Sequence, residues 1–313
     1  MEKWDAYNKE GELLEGELIR GQKIPDGKFH LVVEILVIHT DGSILLMQRD
    51  YKKEGYPGKY EASAGGSVLK GETSKQGALR ELKEETGIKA NVEFMYKRID
   101  QSDRTIYHQY ISVTNCNKDS IELQDGETIG FMWLKRDEFF DFICTNDFVD
   151  RQRERILALK SQFIEQINNA FGCFKLSVKD IDLVMKMNVD FRSGFIVKDK
   201  ALSFLSDEKN WIFAAIRNNR IIGFAYGYEL PRLDSKGNML YIHEVGVIEE
   251  FQKRGIGEKL MNSLKKECYN YNMCRYFLIT GHENIGANKL YKKCDGKVSE
   301  DSNGNDVVYH FHM

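Results

Sequence analysis

The chain has 313 residues, 42% hydrophobic and 30% charged, with a formal net charge of -3 and a pI near 6.2. That length suits two domains of ordinary size, and the composition excludes disordered and collagen-like classes. The charge balance gives no global basic surface for nucleic acid, and no apolar run reaches the roughly 18 to 20 residues that cross a bilayer.

The opening stretch MEKWDAYNKEGELLEGELIRG is charged throughout and has no signal-peptide core, so a cytoplasmic protein is expected. Cys116, Cys144, Cys173, Cys268, Cys274 and Cys294 form no CxxC pair and none has a His at zinc spacing, which points to reduced thiols.

In chain order, LVVEILVI (31–38) and ILLMQ (44–48) flank HTDGS and predict a β-hairpin at Asp41-Gly42. A helix follows inside GGSVLKGETSKQGALRELKEETGI (65–88), then strands at IYHQYISV (106–113) and TIGFMWL (128–134), and a helix at DEFFDFI (137–143). RQRERILALKSQFIEQINNAF (151–171) reads as one helix, with Ile156, Leu159, Phe163 and Ile167 at helical spacing and a stop at Phe171-Gly172.

A second α/β pattern begins there. It comprises a strand at CFKLS (173–177), a helix at VKDIDLVMKM (178–187), a hairpin at WIFAAIRNNRIIGFAYGYEL (211–230), a strand at MLYIHEVGVI (239–248) and a helix from Gly257. The expected layout is one domain over 1–165 and another over 172–313, with 151–171 as a connecting helix.

On the helix before residue 88, Glu81, Glu84 and Glu85 fall within an arc of roughly 100°, beside a packing arc of Ala78, Leu79 and Leu82. Like charges at i, i+3 and i+4 destabilise a helix by about 0.2 to 0.5 kcal/mol per pair, and Arg80 offsets only part of that through Glu84. Either the face is simply solvated, or a divalent cation reverses the sign of the cost.

The whole string decides between these. Gly66, five residues, Glu72, seven residues and then Arg80-Glu81-Leu82-Lys83-Glu84-Glu85-Thr86-Gly87-Ile88 resembles the Nudix box at every specified position. RGQKIPDGKFHLVVEILVIHTDGSILLMQRD and GYPGKYEASAGG resemble the segments before the box in Nudix proteins related to isopentenyl-diphosphate isomerase, and the likeness covers about residues 1–160.

The resemblance implies an α/β/α sandwich whose box holds Mg²⁺ or Mn²⁺ against a small-molecule diphosphate. It makes Glu81, Glu84 and Glu85 metal ligands and catalytic groups, with Arg80 orienting a glutamate and Gly66 and Gly87 permitting loop turns. Glu72 is either a ligand or a structural anchor, and Glu127 is either a base or a loop carboxylate. Related isomerases carry a cysteine just before the box, where this chain has EASAGG, so hydrolysis is the expected reaction. A domain that binds a nucleotide without cleaving it, or one that cleaves CoA derivatives, is the alternative.

In the second half, FQKRGIGEKLMNSLKKE (251–267) places small residues between a strand and an amphipathic helix, where backbone N–H groups and the helix dipole favour an anion. With ENIGANKLYKKCDG (283–296) it resembles the GNAT acetyltransferases. The stretch GYELPRLDSKGNMLYIHEVGV (227–247) and the ending DVVYHFHM (306–313) resemble the aminoglycoside 3-N-acetyltransferases among them, over about residues 174–313.

The resemblance implies a mixed-sheet domain that binds acetyl-CoA as cosubstrate through Val247, Gln252, Arg254, Gly255, Ile256, Gly257 and Asn284. It gives Glu244 the proton of an attacking small-molecule amine and makes Tyr291 either the acid for the departing thiolate or a core aromatic. His312 stands where that family's ending is acidic, a lost carboxylate that counts against a polycationic acceptor, and Asp295-Gly296 departs from the family's aliphatic-glycine pair. The expected fold class is therefore α/β with α+β character, in a bifunctional enzyme with no nucleic-acid or membrane partner.

Overall fold

The computed structural model describes residues 1–192, 195–234, 236–300, 302 and 304–313, which form two compact units, Met1–Ala170 and Phe171–Met313. Ser235, inside the 227–247 stretch, lies outside the described residues. No helix among them is long and apolar enough to cross a membrane.

The first unit runs β1 (Lys3–Tyr7), β2 (Leu13–Ile19), β3 (His30–His39), β4 (Ile44–Arg49), β5 (Tyr60–Ala62), β6 (Ala64–Ser67), α1 (Ser74–Thr86), β7 (Val92–Asp100), β8 (Thr105–Thr114), β9 (Thr128–Leu134), α2 (Arg136–Phe142), α3 (Asp150–Ala158) and α4 (Lys160–Asn169). The β1–β2 hairpin forms its own two-stranded sheet beside a seven-stranded one, joined to it just ahead of β3 by a bridge between Tyr7 and Phe29. In that sheet β3 pairs in parallel with β8 along its whole length, from His30 opposite Thr105 to His39 opposite Thr114.

The turn at Asp41-Gly42 forms as expected, with Asp41 Oδ1 accepting from Ser43 N at 2.9 Å, but the two-stranded ladder does not. Only Ile38 and Ile44 pair, because the rest of the same edge of β3 is taken by β6 while β4 turns away to β5 and β9. The divergence opens a gap between β3 and β4 into which β6 runs. Its successor α1 packs back on β3 through Ala78 and Leu82, both fully buried.

Two expectations about helices are corrected. Leu79 is 38% exposed rather than part of the packed face, and Gly77 takes that place against Val68. The helix expected over 151–171 is broken at Leu159, whose φ of -120° and ψ of 26° end α3 and begin α4. Ile156 from one segment and Phe163 and Ile167 from the other still pack in the same core beside Phe139 and Phe148.

The second unit runs β10 (Gly172–Lys175), α5 (Ile181–Met187), α6 (Lys198–Ser206), β11 (Asn210–Arg217), β12 (Arg220–Leu230), β13 (Met239–Val247), α7 (Ile256–Asn270), β14 (Arg275–Gly281), α8 (Ile285–Lys293), β15 (Lys297–Val298) and β16 (Asp306–His312). Their sheet has the order β10-β11-β12-β13-β14-β16-β15. The β11–β12 hairpin turns on Asn218 and Asn219, both with positive φ, as a two-residue turn that matches strand twist requires.

Two irregularities around β13 bear on the site. Tyr226 pairs with Glu244 but Gly227 pairs with Ile242, so His243 is the extra residue of a β-bulge. Gly227 must lack a side chain there, since a Cβ would lie 1.9 Å from the Tyr241 carbonyl oxygen. The parallel pairing of β13 with β14 stops at Ile242 and Leu278, and beyond it the two strands splay.

Candidate functional site

Thr73 and Gly87 set the limits of α1. Thr73 and Gln76 form a reciprocal capping box, and Gly87 adopts φ 72° with its N–H donating to the Lys83 carbonyl. These 13 residues carry Glu81, Glu84 and Glu85, which the fold treats differently. Glu85 is buried, Glu81 is nearly so and Glu84 is half exposed.

Arg80 gathers the acids. Its Nε and Nη2 donate to the two oxygens of Glu72 at 2.9 and 3.0 Å, and its Nη1 donates to Glu81 at 2.7 Å and to Glu84 at 3.1 Å. Glu72 also accepts from Leu69 N at 3.0 Å. The guanidinium holds the Glu72 carboxyl below its usual range.

Gly66 lies in β6 rather than in a loop turn. A Cβ there would come within 2.4 Å of Glu81 Oε1, so the glycine provides room for that carboxylate. Its neighbour Gly65 donates its N–H to Glu85 Oε2 at 3.0 Å.

One acidic residue escaped the motif. Glu61, on β5, is paired with Arg49 Nη1 at 2.8 Å and raises the Glu85 carboxyl by its charge. Burial comes first among the causes that push Glu85 well above the usual carboxylate range, followed by the charges of Glu61 and Glu81. Burial likewise raises Glu61 and Glu81. The only sequence signal for Glu61 was its place in GYPGKYEASAGG. Glu127 forms an ion pair with Lys53, whose charge also reaches Glu61 and Glu85.

Among the described residues no three acidic, imidazole or thiol groups stand ready-made around a metal position. Arg80 Nη1 takes an oxygen of both Glu81 and Glu84 on the face they share. By chemistry the set still fits a hard divalent cation: every donor is a carboxylate oxygen, and Glu61, Glu81 and Glu85 are all driven toward neutrality by burial and by acidic neighbours.

In the second unit a cavity of about 700 Å³ lies at the head of α7. Val247, Gln252, Gly255, Ile256, Gly257, Asn284 and Tyr291 all line it, so the structure brings these sequence candidates together. Arg254 is not among the lining residues and lies exposed, with its guanidinium 5.8 Å from the Phe251 ring.

Gly255 caps α7 with φ 80° and has no side chain of its own to satisfy the first N–H groups of a 15-residue helix. Asn284 caps α8 by accepting from Ala287 N at 3.2 Å, and Gln252 donates to the Val247 carbonyl at 3.1 Å. A wide cavity edged by bare helix N–H groups suits a pyrophosphate.

Tyr291 combines both readings offered by the sequence. It lines the cavity and also packs in the core, with its ring centroid 5.4 Å from that of Tyr309. Burial pushes its phenol up to about 12, which keeps the proton on the oxygen near neutral pH. Glu244 lies on β13 opposite Tyr226, on the opposite face of the strand from Val245 and Val247.

Comparison with known proteins agrees with this division. The NUDIX domain model matches residues 28–157, and the model of the Acetyltransferase (GNAT) family matches residues 181–296. A Nudix hydrolase of Listeria innocua is 34% identical over 157 residues, spanning 44% of this chain and 93% of that protein. A Nudix hydrolase of Listeria monocytogenes is 31% identical over 150 residues, spanning 48% of this chain and 89% of that protein. Among solved structures, an aminoglycoside acetyltransferase from an uncultured soil metagenomic sample matches 44% of this chain and 95% of its own, at 19% identity and a TM-score of 0.41. The chain belongs to the Nudix hydrolase family through its first unit and carries a GNAT acetyltransferase domain in its second, two enzyme classes on one polypeptide.

Proposed function

We propose that both domains are catalytic: the first hydrolyses a small-molecule diphosphate with Mg²⁺ or Mn²⁺, and the second transfers the acetyl group of acetyl-CoA to an amine. The observation that carries the first half is the crowding of buried Glu85 with Glu81 and Glu61, a concentration of negative charge that costs stability unless a cation shares it.

Glu81, Glu84 and Glu85 would hold the metal, with Glu61 facing them from β5. Glu72 serves as the anchor of Arg80, since both its oxygens are already engaged by the guanidinium. A bound divalent cation would neutralise phosphate charge and lower the pKa of a water for attack on phosphorus. Arg80 would then keep Glu81 and Glu84 oriented, and Lys53 would hold Glu127 at the edge of the site.

For the second half, the bare N-terminus of α7 would receive the pyrophosphate of acetyl-CoA, with Lys253 at the cavity wall adding positive charge. Glu244 would take the proton of the attacking amine, directly or through water. Tyr291, held protonated, would donate toward the departing sulfur.

A paired screen of the intact protein tests both halves: a diphosphate panel with Mg²⁺, followed by phosphate or nucleotide release, and an amine panel with acetyl-CoA, followed by thiol release. No turnover of any diphosphate sinks the first half, and no acetyl-CoA binding in calorimetry sinks the second.

A further inference from the structure

A second cavity, of about 360 Å³, lies in the GNAT unit on the face of the sheet covered by α5 and α6. Its walls include Val184 from α5, Ala201 and Phe204 from α6, and Phe224 and Tyr226 from β12. Among the eleven described residues that line it, Lys200 alone is charged and the rest are hydrophobic. The aromatic part continues past the rim: the Phe204 and Tyr226 ring centroids are 6.1 Å apart, and those of Tyr226 and His243 are 5.2 Å apart.

The register connects this cavity to the reacting position. Residues directly opposite one another in an antiparallel pair share a face, so Glu244 lies on the face of the sheet where Tyr226 lines the cavity. Val245 and Val247 point the other way and line the cavity at α7. The sheet thus separates the two cavities, and β13 carries Val245 and Val247 on the α7 face and Glu244 on the other. An amine presented to Glu244 from the α5 and α6 side would have its body toward the apolar cavity.

We infer, on the acetyltransferase reading above, that the acceptor is a primary monoamine on an apolar body of one or two rings, an arylalkylamine, rather than a polycation. The volume sits at the small end of the roughly 300 to 1,000 Å³ typical of ligand sites. The described lining residues offer apolar contact and no carboxylate, and a second ammonium buried among them is left unpaired and facing Lys200. In the reaction the amine nitrogen's lone pair forms a C–N bond to the acetyl carbonyl, and the C–S bond breaks with its electron pair going to sulfur. One amine proton passes to Glu244, and sulfur gains a proton to give the CoA thiol, so the products are the N-acetylated amine and CoA.

The test is thiol release by the intact protein with saturating acetyl-CoA and four acceptors: phenylethylamine, tryptamine, kanamycin and spermidine. The expected result is a kcat/KM at least 100-fold higher for the two arylalkylamines than for the polycations. Ala201→Phe, which fills the cavity, is expected to raise the KM for tryptamine at least 10-fold while the Kd of acetyl-CoA stays unchanged. Lys200→Glu, an exposed change at the rim, is expected to narrow the discrimination against spermidine at least 5-fold.

A preference for kanamycin or spermidine, or an unchanged discrimination in Lys200→Glu, overturns the inference. Acetyl-CoA binding without any preference for arylalkylamines overturns it alone, whereas absence of acetyl-CoA binding overturns the acetyltransferase reading and this inference together.

Discussion

The guanidinium of Arg80 is forked onto the carboxylate of Glu72, with Nε to Oε1 at 2.9 Å and Nη2 to Oε2 at 3.0 Å. Its remaining donors go to the Ser67 carbonyl at 3.0 Å, to Glu81 at 2.7 Å and to Glu84 at 3.1 Å, so all five N–H groups are used. Lysine keeps the charge but has three donors and no plane, and it cannot hold four partners in this arrangement. Arg80→Lys should lower kcat for diphosphate hydrolysis by about 100-fold and cost about 1 to 2 kcal/mol of stability. Steady-state kinetics and thermal melts check both, with acetyl transfer as the unchanged control.

Glu85 presents the opposite case, a buried acid whose charge is opposed. Burial and the charges of Glu61 and Glu81 raise its carboxyl well above the usual range. A carboxyl raised in the folded state adds no cost below its unfolded pKa of about 4.3 and destabilises progressively as pH rises through the folded value. In metal-free protein, wild type should therefore lose stability relative to Glu85→Gln as pH rises from about 4.3, and melting in EDTA across that range reads the gap. With Mg²⁺ at 100 times its Kd, wild type should gain about 2.7 kcal/mol, or roughly 5 to 10 °C for a unit of this size, and the variant should not. Hydrolysis by the variant should fall at least 100-fold.

The contrast between Glu85 and Glu61 shows what the sequence can carry. Glu81, Glu84 and Glu85 lie within one turn and a half of a helix, so spacing alone brings them to one side. Glu61 reaches them only because β5 belongs to the sheet on which α1 packs, a long-range placement with no local pattern. The β3–β4 turn was legible from Asp-Gly chemistry, but its splay was not, since β6 takes the edge of β3 while β5 and the distant β9 take those of β4. Leu159 kept its helical spacing and its place beside the core while breaking the helix, because apolar periodicity reports which side is buried and not whether the backbone is continuous. In the second unit the glycines around α7 were readable as an anion turn, whereas the cavity beneath α6 was assembled by residues from four separate elements.

Arg155 and Glu34 form an ion pair that is only 13% and 10% exposed, and the guanidinium lies 4.3 Å from the centre of the Tyr107 ring. Gln152 Nε2 also donates to Glu34 at 3.4 Å. Removing the cation leaves a buried carboxylate with only an amide to replace it. Arg155→Met should cost about 3 to 5 kcal/mol and lower the melting temperature of the first unit by about 6 to 15 °C. The double change Arg155→Met with Glu34→Leu should recover most of that loss, since an apolar pair of similar volume carries no unpaired charge. Calorimetric melts of the three proteins check the sign and the recovery.

The two glycines at the head of α7 should fail in different ways. Gly255 has φ 80° and nothing within 4 Å of an added Cβ, so Gly255→Ala meets backbone strain alone and should cost about 1 kcal/mol of stability. Gly257 has ordinary backbone, but a Cβ there lies 3.0 Å from Leu290 Cδ2, at the wall of the 700 Å³ cavity. Gly257→Val adds two methyl groups beyond that Cβ, at the helix end that the pyrophosphate would approach. It should raise the Kd of acetyl-CoA at least 10-fold in calorimetry while leaving diphosphate hydrolysis untouched. Equal weakening of acetyl-CoA by Gly255→Ala and Gly257→Val would mean that the turn's backbone conformation, and not space beside α7, governs binding. Unchanged binding in Gly257→Val would remove the head of α7 as the pyrophosphate site.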